Sequence, residues 1–221
     1  HSRYLWAAET YKNENHYGRY LTHGSMQFMN EDGNFGSGYR LEGWDWCHIP
    51  GTTAAEIPME KMKADVLNVD EFSGYEEMLL SDEWFAGGVT FSDAAAMYSM
   101  KLHEHDKYNG SLRALKSFFA FDNRIVCVGS GLENRQEGSE LHTTLFQNSL
   151  TEDGQMTFVN GTAHSENGYR ESVSGERISL TDRLGNAYIV RDAEVVVSRG
   201  CQTSFHEETD AVTEGLFEKA Y

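Results

Sequence analysis

From Val89 onward the chain consists mainly of short apolar runs separated by turn residues. Four of these runs are rich in β-branched and aromatic side chains, which is typical of strands, and they occupy residues 97–102, 117–121, 124–128 and 194–197. The clearest hairpin signal is Asp122-Asn123, which lies between two of them. Because turn signals recur about every ten residues, the pattern predicts a meandering antiparallel β-sandwich.

Helical spacing is confined to one short segment, residues 58–67. Pro58 suits a first-turn position, and Met59, Met62 and Val66 would share one face. Residues 1–57 are denser in Gly, Asn, Trp, Tyr and His, so we expect strands joined by long ordered loops, which more often hold sites than cores. With no internal repeat, the sequence predicts one all-β domain with at most one short helix.

Charge narrows the choice of partners. The 221 residues contain 18 Lys plus Arg against 35 Asp plus Glu, a formal charge of -17. A broad basic face for nucleic acid or an anionic membrane is therefore not expected, and a polyanion would have to meet a few focused cations. No apolar run approaches the roughly 20 residues of a bilayer span. The three cysteines are far apart and lack CxxC spacing, so neither a disulfide framework nor a structural zinc site is indicated.

Two stretches in the first 57 residues concentrate polar and aromatic groups. Residues 9–20 crowd carboxylates, amides, an imidazole and tyrosines, which suits an acidic sugar; the alternative is a solvated loop whose polar groups cap the backbone. In residues 38–53, Trp44 and Trp46 offer platforms for sugar rings, and Arg40 offers a fork for a carboxylate or sulfate. The alternative is that both tryptophans are core residues and Asp45 caps a turn.

A third group, His103-Glu104-His105-Asp106, has strand spacing that would direct two imidazoles to one face, as two metal ligands require. No third ligand is evident, and an exposed strand end with solvated histidines is the commoner outcome. His142 looks like part of a strand end. The chain has no GxSxG elbow, glycine-rich phosphate loop or HExxH motif, which argues against the commonest hydrolases, nucleotide-binding proteins and zinc proteases.

Motifs along most of the chain resemble the central region of the family 8 polysaccharide lyases, which include chondroitin, hyaluronate and xanthan lyases. In the first part of the chain these are Ser2 and Glu9, Asn13-Glu14-Asn15, Gly18-Arg19-Tyr20-Leu21-Thr22 with Gly24, Trp44-Asp45-Trp46 and Ile49-Pro50-Gly51-Thr52-Thr53. Later stretches resemble the chondroitin sulfate ABC branch, at residues 85–89, 100–105, 116–125 and 143–148.

The resemblance implies a fold and a reaction. The fold would be a large antiparallel supersandwich of the galactose mutarotase-like kind, occupying residues 1–221 as the middle unit of a longer enzyme, between an N-terminal α/α toroid and a C-terminal β domain. The reaction would be β-elimination, in which a base removes the C5 proton of the uronic acid and leaves a 4,5-unsaturated sugar. A Tyr or His takes the proton while neutralisation of the sugar carboxylate stabilises the developing charge.

The resemblance also implies site residues. The proton-transfer Tyr and His, with a neighbouring Arg, would lie on the toroid, and the central domain would supply a cleft glutamate, Glu9, that holds that Arg and Tyr. Glu14 is the alternative. Lys12 stands where the chondroitin AC type carries Asn, which favours the ABC type. Substrate contacts are assigned to Asn15, Arg19, Arg40, Trp44, Trp46 and His48.

We therefore expect a fragment of a secreted or periplasmic bacterial lyase for chondroitin or dermatan sulfate, with hyaluronan as a further candidate substrate. Its partners would be the glycosaminoglycan and the toroid, without nucleic acid or membrane. No cofactor is required, although a divalent cation is compatible with the sequence. The fragment alone would be inactive. The competing interpretation is a non-catalytic sugar-binding β-sandwich.

Overall fold

The structure is a computed structural model that describes residues 15–29, 35–64, 81–92, 95–151 and 154–221. Helical structure within these ranges is limited to three 3-10 turns, at Gly18–Thr22, Phe35–Ser37 and Met59–Lys61. The strands are β1 Thr53–Ala55, β2 Ala86–Ser92, β3 Ala95–His103, β4 Arg113–Phe121, β5 Arg124–Glu133, β6 Leu141–Thr143, β7 Phe146–Ser149, β8 Thr157–Val159, β9 Thr162–His164, β10 Arg170–Gly175, β11 Ile178–Thr181, β12 Ala187–Val190, β13 Ala193–Phe205 and β14 Val212–Ala220. The all-β prediction is confirmed.

The strands form four antiparallel sheets. Three have four strands, in the orders β10-β13-β14-β7, β12-β11-β8-β9 and β2-β3-β4-β5, and the fourth is the pair β1-β6. All four predicted strands lie within observed ones, in β3, β4, β5 and β13. The predicted hairpin joins β4 to β5, with Asp122 rather than Asn123 in the left-handed region (φ 51°).

One hydrophobic core lies between the sheets β10-β13-β14-β7 and β12-β11-β8-β9. Side chains from both sheets interdigitate there, as in a β-sandwich. They are Phe146, Val159, Ile178, Leu180, Val195, Val197 and Ala220.

A second core covers the opposite face of β14. Successive strand residues point to opposite sides, so Ala220 faces the sandwich while Phe217 faces the loops of residues 15–64. The buried residues of this core are Tyr17, Tyr20, Trp44, Trp46, Cys47, Ile49, Ala54, Met62 and Phe217. The loop-rich first part of the chain is thus fixed in place by packing against a sheet built from its last part.

Among the described residues, the buried hydrophobic side chains of the sheet β2-β3-β4-β5 lie near one end, at Met100, Leu102 and Ala114. Every residue of β5 is exposed. Of the helix predicted at residues 58–67, the described part holds only the 3-10 turn at Met59–Lys61, and residues 65–67 lie outside the described ranges.

Candidate functional site

The predicted cleft carboxylate, Glu9, lies outside the described residues, as do its alternative Glu14 and the departure at Lys12. The first described residue is Asn15, whose Oδ1 accepts a hydrogen bond from the Tyr17 backbone N–H at 2.9 Å.

Asn15 lies at a cavity of about 420 Å³ that also touches Trp44 and Trp46. Polar side chains of β7 and of the turn before β12, including Asn148 and Asp182, also line this cavity. Three of the predicted substrate contacts, Asn15, Trp44 and Trp46, are thus brought together at this cavity.

Both tryptophans are core residues. Trp44 is 5% exposed and packs edge-on against Tyr39 and Phe217, with ring centroids 4.9 and 5.9 Å away. Trp46 is 2% exposed, and its indole N–H donates to the Phe205 carbonyl at 3.3 Å. The structure therefore agrees with the packing interpretation of this motif: the rings are not open platforms, and any contact with a sugar would use their edges at the cavity.

Arg19, one of the predicted substrate contacts, is turned inward. It is 4% exposed, and its guanidinium lies 3.2 Å from the buried carboxylate of Glu104 and 3.6 Å from the ring centroid of Tyr108. Burial raises the pKa of Glu104 to about 7, although the Arg19 charge opposes the rise. The guanidinium joins the loop region to the end of β3, and direct substrate contact by Arg19 remains a prediction.

Arg40 is exposed on the loop after the 3-10 turn at Phe35–Ser37, where an anionic ligand can reach it. Other cations line a larger groove of about 1880 Å³ that sequence reasoning missed, and they are Lys116, Arg124, Arg170 and Arg191. They come from separate strands and turns, so no local motif marks them.

Lys116 is the buried member of this set, and its ammonium donates to the carbonyls of His23 and Gly51. Burial lowers its pKa to about 8. The cation anchors the loop between these two carbonyls, which run beside the groove.

His48 is 1% exposed and also lies in the interior, and its predicted contact with the substrate stays a prediction. Its Nδ1 lies 2.8 Å from Asp45 and its Nε2 lies 3.1 Å from Glu56. The ring stacks on His142 with centroids 4.3 Å apart. Within the described residues, His48, Glu56 and His142 form a group whose ligand atoms lie within 4.8 Å of one another.

The two imidazoles differ in their electrostatics. Burial lowers the pKa of His142 to about 4, helped by the neighbouring His48. Burial also opposes charge on His48, but the carboxylates of Asp45 and Glu56 prevail and raise its pKa. His142 is therefore neutral near pH 7 and can donate an electron pair.

The histidine pair of the His103-Glu104-His105 motif does not form such a group. Strand β3 ends at His103, whose Nδ1 contacts Asp82 and whose Nε2 lies 2.9 Å from the Gly110 carbonyl. His105 Nδ1 instead accepts the Lys107 backbone N–H at 3.1 Å. Both nitrogens of His103 thus have protein partners, and the shared-face geometry expected for a metal pair is not formed.

The structure has no helix of the length and apolar character needed to cross a bilayer among its described residues.

Comparison with known proteins places these features in a family. The sequence profile of the polysaccharide lyase family 8 super-sandwich domain matches residues 1–213. A chondroitin sulfate ABC exolyase of Bacteroides thetaiotaomicron is 44% identical over 220 residues, which cover 97% of this chain and 21% of the relative. A chondroitin sulfate ABC exolyase of Proteus vulgaris is 38% identical over 221 residues, covering 99% of this chain and 22% of the relative.

A solved structure of chondroitinase AC lyase in oligosaccharide complexes matches the fold with a TM-score of 0.67 and 22% identity, over 99% of this chain and 31% of that one. The chain spans about a fifth of the length of the curated relatives it matches. On the match of nearly all its residues, the chain belongs to polysaccharide lyase family 8, whose super-sandwich domain it forms.

Proposed function

We propose that this chain is the central β domain of a secreted or periplasmic bacterial enzyme that cleaves chondroitin and dermatan sulfate, with hyaluronan as a further substrate. The observation that carries the proposal is the similarity to two chondroitin sulfate ABC exolyases along 97% and 99% of the chain. The toroid of the same enzyme is the proposed partner.

The proposed reaction is β-elimination. Loss of the C5 proton of the uronic acid builds negative charge next to an existing carboxylate, so the site must neutralise that carboxylate and offer a base. In the proposed division of labour the toroid supplies the base, and Glu9 orients the toroid's Arg and Tyr from the opposite wall. The position of Asn15 beside an open cavity supports a cleft at this end of the domain.

Local cations resolve the apparent conflict between an acidic domain and a sulfated substrate. Arg124, Arg170 and Arg191 are exposed around one groove, and Arg40 is exposed elsewhere on the surface. A guanidinium binds a carboxylate or sulfate through two parallel hydrogen bonds, so a few suffice where the overall charge is negative.

The test is Glu9→Gln in the full-length parent protein, with Glu14→Gln as the matched control. Release of 4,5-unsaturated uronate from chondroitin sulfate is followed by its ultraviolet absorbance. We expect Glu9→Gln to lower kcat by about 100-fold or more, since misplaced proton-transfer groups forfeit that much. Glu14→Gln should retain activity, and the isolated 221-residue chain should release no product.

Each contrary result has a distinct meaning. Loss of activity in Glu14→Gln alone would move the carboxylate role to Glu14. Full activity in both variants would remove the cleft carboxylate and support the sugar-binding module. Product made by the isolated chain would contradict the assignment of the base to the toroid.

A further inference from the structure

Three residues from two distant parts of the chain converge at the edge of the large groove. His48 lies on the loop before β1, Glu56 directly follows β1, and His142 lies on β6. The β1-β6 ladder pairs Ala54 with His142, and the Glu56 backbone N–H donates to the Glu140 carbonyl at 3.0 Å. The backbone ladder therefore sets the position of two of the three side chains.

Hydrogen bonds on the far side of each ring determine where the imidazole protons lie. His48 Nδ1 faces the Asp45 carboxylate, which only accepts, so this nitrogen carries the hydrogen. His142 Nε2 lies 3.0 Å from the Cys47 carbonyl and must donate to it. A neutral imidazole has one N–H, so in the neutral form each ring presents a lone pair on its other nitrogen.

Those two lone pairs face the same carboxylate oxygen. Glu56 Oε2 lies 3.1 Å from His48 Nε2 and 3.8 Å from His142 Nδ1. His48 Nε2 is buried and makes no hydrogen bond, although it lies close to Glu56 Oε2. Three electron-pair donors without a hydrogen between them repel one another unless a cation lies among them.

A second proton on His48 relieves only part of this conflict. This hydrogen would be donated to Glu56, but the lone pair of His142 would still face an acceptor. The positive charge would also lie against the stacked His142 ring, 4.3 Å away. A divalent cation satisfies all three donors together.

We propose that His48 Nε2, Glu56 and His142 Nδ1 form a binding site for a divalent transition metal, with Zn²⁺ the best match. Two imidazoles and one carboxylate are a common zinc ligand set, and tetrahedral bonds of about 2.0–2.2 Å put neighbouring ligand atoms about 3.3 Å apart. The observed 3.1 and 3.8 Å separations bracket that value.

The surroundings fit the same assignment. Ligand histidines usually donate their other N–H to a carboxylate or a backbone carbonyl, as Asp45 and the Cys47 carbonyl allow here. Lys219 lies 2.5 Å from Asp45 and balances its charge. Glu56 is 55% exposed and lines the groove with His142, so a fourth position is open to water or to an anionic ligand.

The site would tie the Asp45–His48 loop to the β1-β6 ladder independently of the elimination chemistry proposed above. We expect one equivalent of Zn²⁺ to raise the melting temperature of the metal-stripped chain. Co²⁺ in its place should give the strong visible absorption of a four-coordinate ion, without a thiolate charge-transfer band. The measurements use protein without a histidine tag, with the exposed Cys127 and Cys201 replaced by Ser.

Glu56→Gln keeps the shape of the ligand and removes its charge, and Glu140→Gln makes the same change at an exposed carboxylate of the same groove. We expect the first to weaken Zn²⁺ binding by about tenfold or more and the second to leave it unchanged. His142→Phe, which retains a ring to stack on His48, should weaken Zn²⁺ binding to a similar extent. This variant tests the proposal if Glu56→Gln does not fold.

Three results would overturn the proposal. They are no binding at one equivalent, equal affinity in Glu56→Gln and Glu140→Gln, or a cobalt spectrum dominated by thiolate.

Discussion

Replacement of Arg19 by Met tests whether this guanidinium stabilises the fold or contacts the substrate. The change removes a charge 3.2 Å from Glu104, whose side chain is fully buried, and it removes the cation 3.6 Å above the Tyr108 ring. Loss of one partner from a buried ion pair costs about 3–5 kcal/mol because the other charge is left without compensation. For a domain of this size, that lowers the melting temperature by about 6–20 °C.

The loss of stability in Arg19→Met should depend on pH because the Glu104 carboxylate can lose its charge by binding a proton. Its pKa is raised to about 7, above the ordinary value of 4.5, so the folded state holds a proton that the unfolded state has released. The contribution of Glu104 to stability therefore falls as pH rises from about 4.5 to 7. Without Arg19 the carboxyl is neutral at pH 6, and the penalty of Arg19→Met should be smaller at pH 6 than at pH 8.

Urea denaturation at pH 6 and pH 8 measures both effects, and a double-mutant cycle with Glu104→Gln isolates the pair. Arg135→Met is the matched control, because Arg135 is 81% exposed and its pair with Glu133 should contribute at most about 1 kcal/mol. If Arg19→Met behaves like the control at pH 8, or raises KM in the full-length enzyme without loss of stability, the structural role assigned to Arg19 is wrong.

Two further predictions concern turns. Gly161→Ala should destabilise the chain by about 1–2 kcal/mol in urea titrations, because Gly161 has a φ of 85°; Gly87→Ala, in equally open space without positive φ, is the control and should change little. At Asp210, burial favours the neutral acid, but bonds from Lys63, His16 and Tyr17 prevail and lower the pKa to about 2. Its stabilisation is complete above about pH 4 and is lost as pH falls through 2. Asp210→Asn, which tolerates the φ of 58°, should therefore cost about 1–2 kcal/mol at pH 7 and flatten stability between pH 4 and 2. This assignment would be contradicted if the stability of Asp210→Asn fell between pH 4 and 2 as steeply as that of the unmodified chain.

The sequence predicted the features of the fold that depend on neighbouring residues. Residues 117–121 and 124–128 are strands because β-branched and aromatic side chains favour an extended backbone, and the turn between them accepts a left-handed residue. Helical spacing at residues 58–67 was a weaker signal, and its described part forms only the turn at Met59–Lys61.

The site depended on contacts that no local pattern contains. Trp46 is buried because its indole meets Phe205, 159 residues away. The His142 ring bonds the Cys47 carbonyl, 95 residues away, so neither histidine could be identified as a partner of the other from spacing. Family motifs located the region around Asn15, but they gave no sign that Arg19 points inward towards Glu104.

The position of β14 between two cores has a consequence for how the chain folds. Phe217 packs against Trp44 on one face, while Ala220 joins the sandwich core on the other and its carbonyl accepts the Leu145 N–H at 2.8 Å. Neither core can form before these residues are synthesised. Residues 15–64 therefore cannot reach their packed arrangement until β14 is present. Such long-range closure predicts slow folding that begins only after β14 has been synthesised. Truncation before Val212 should therefore abolish cooperative unfolding altogether, rather than remove a single strand.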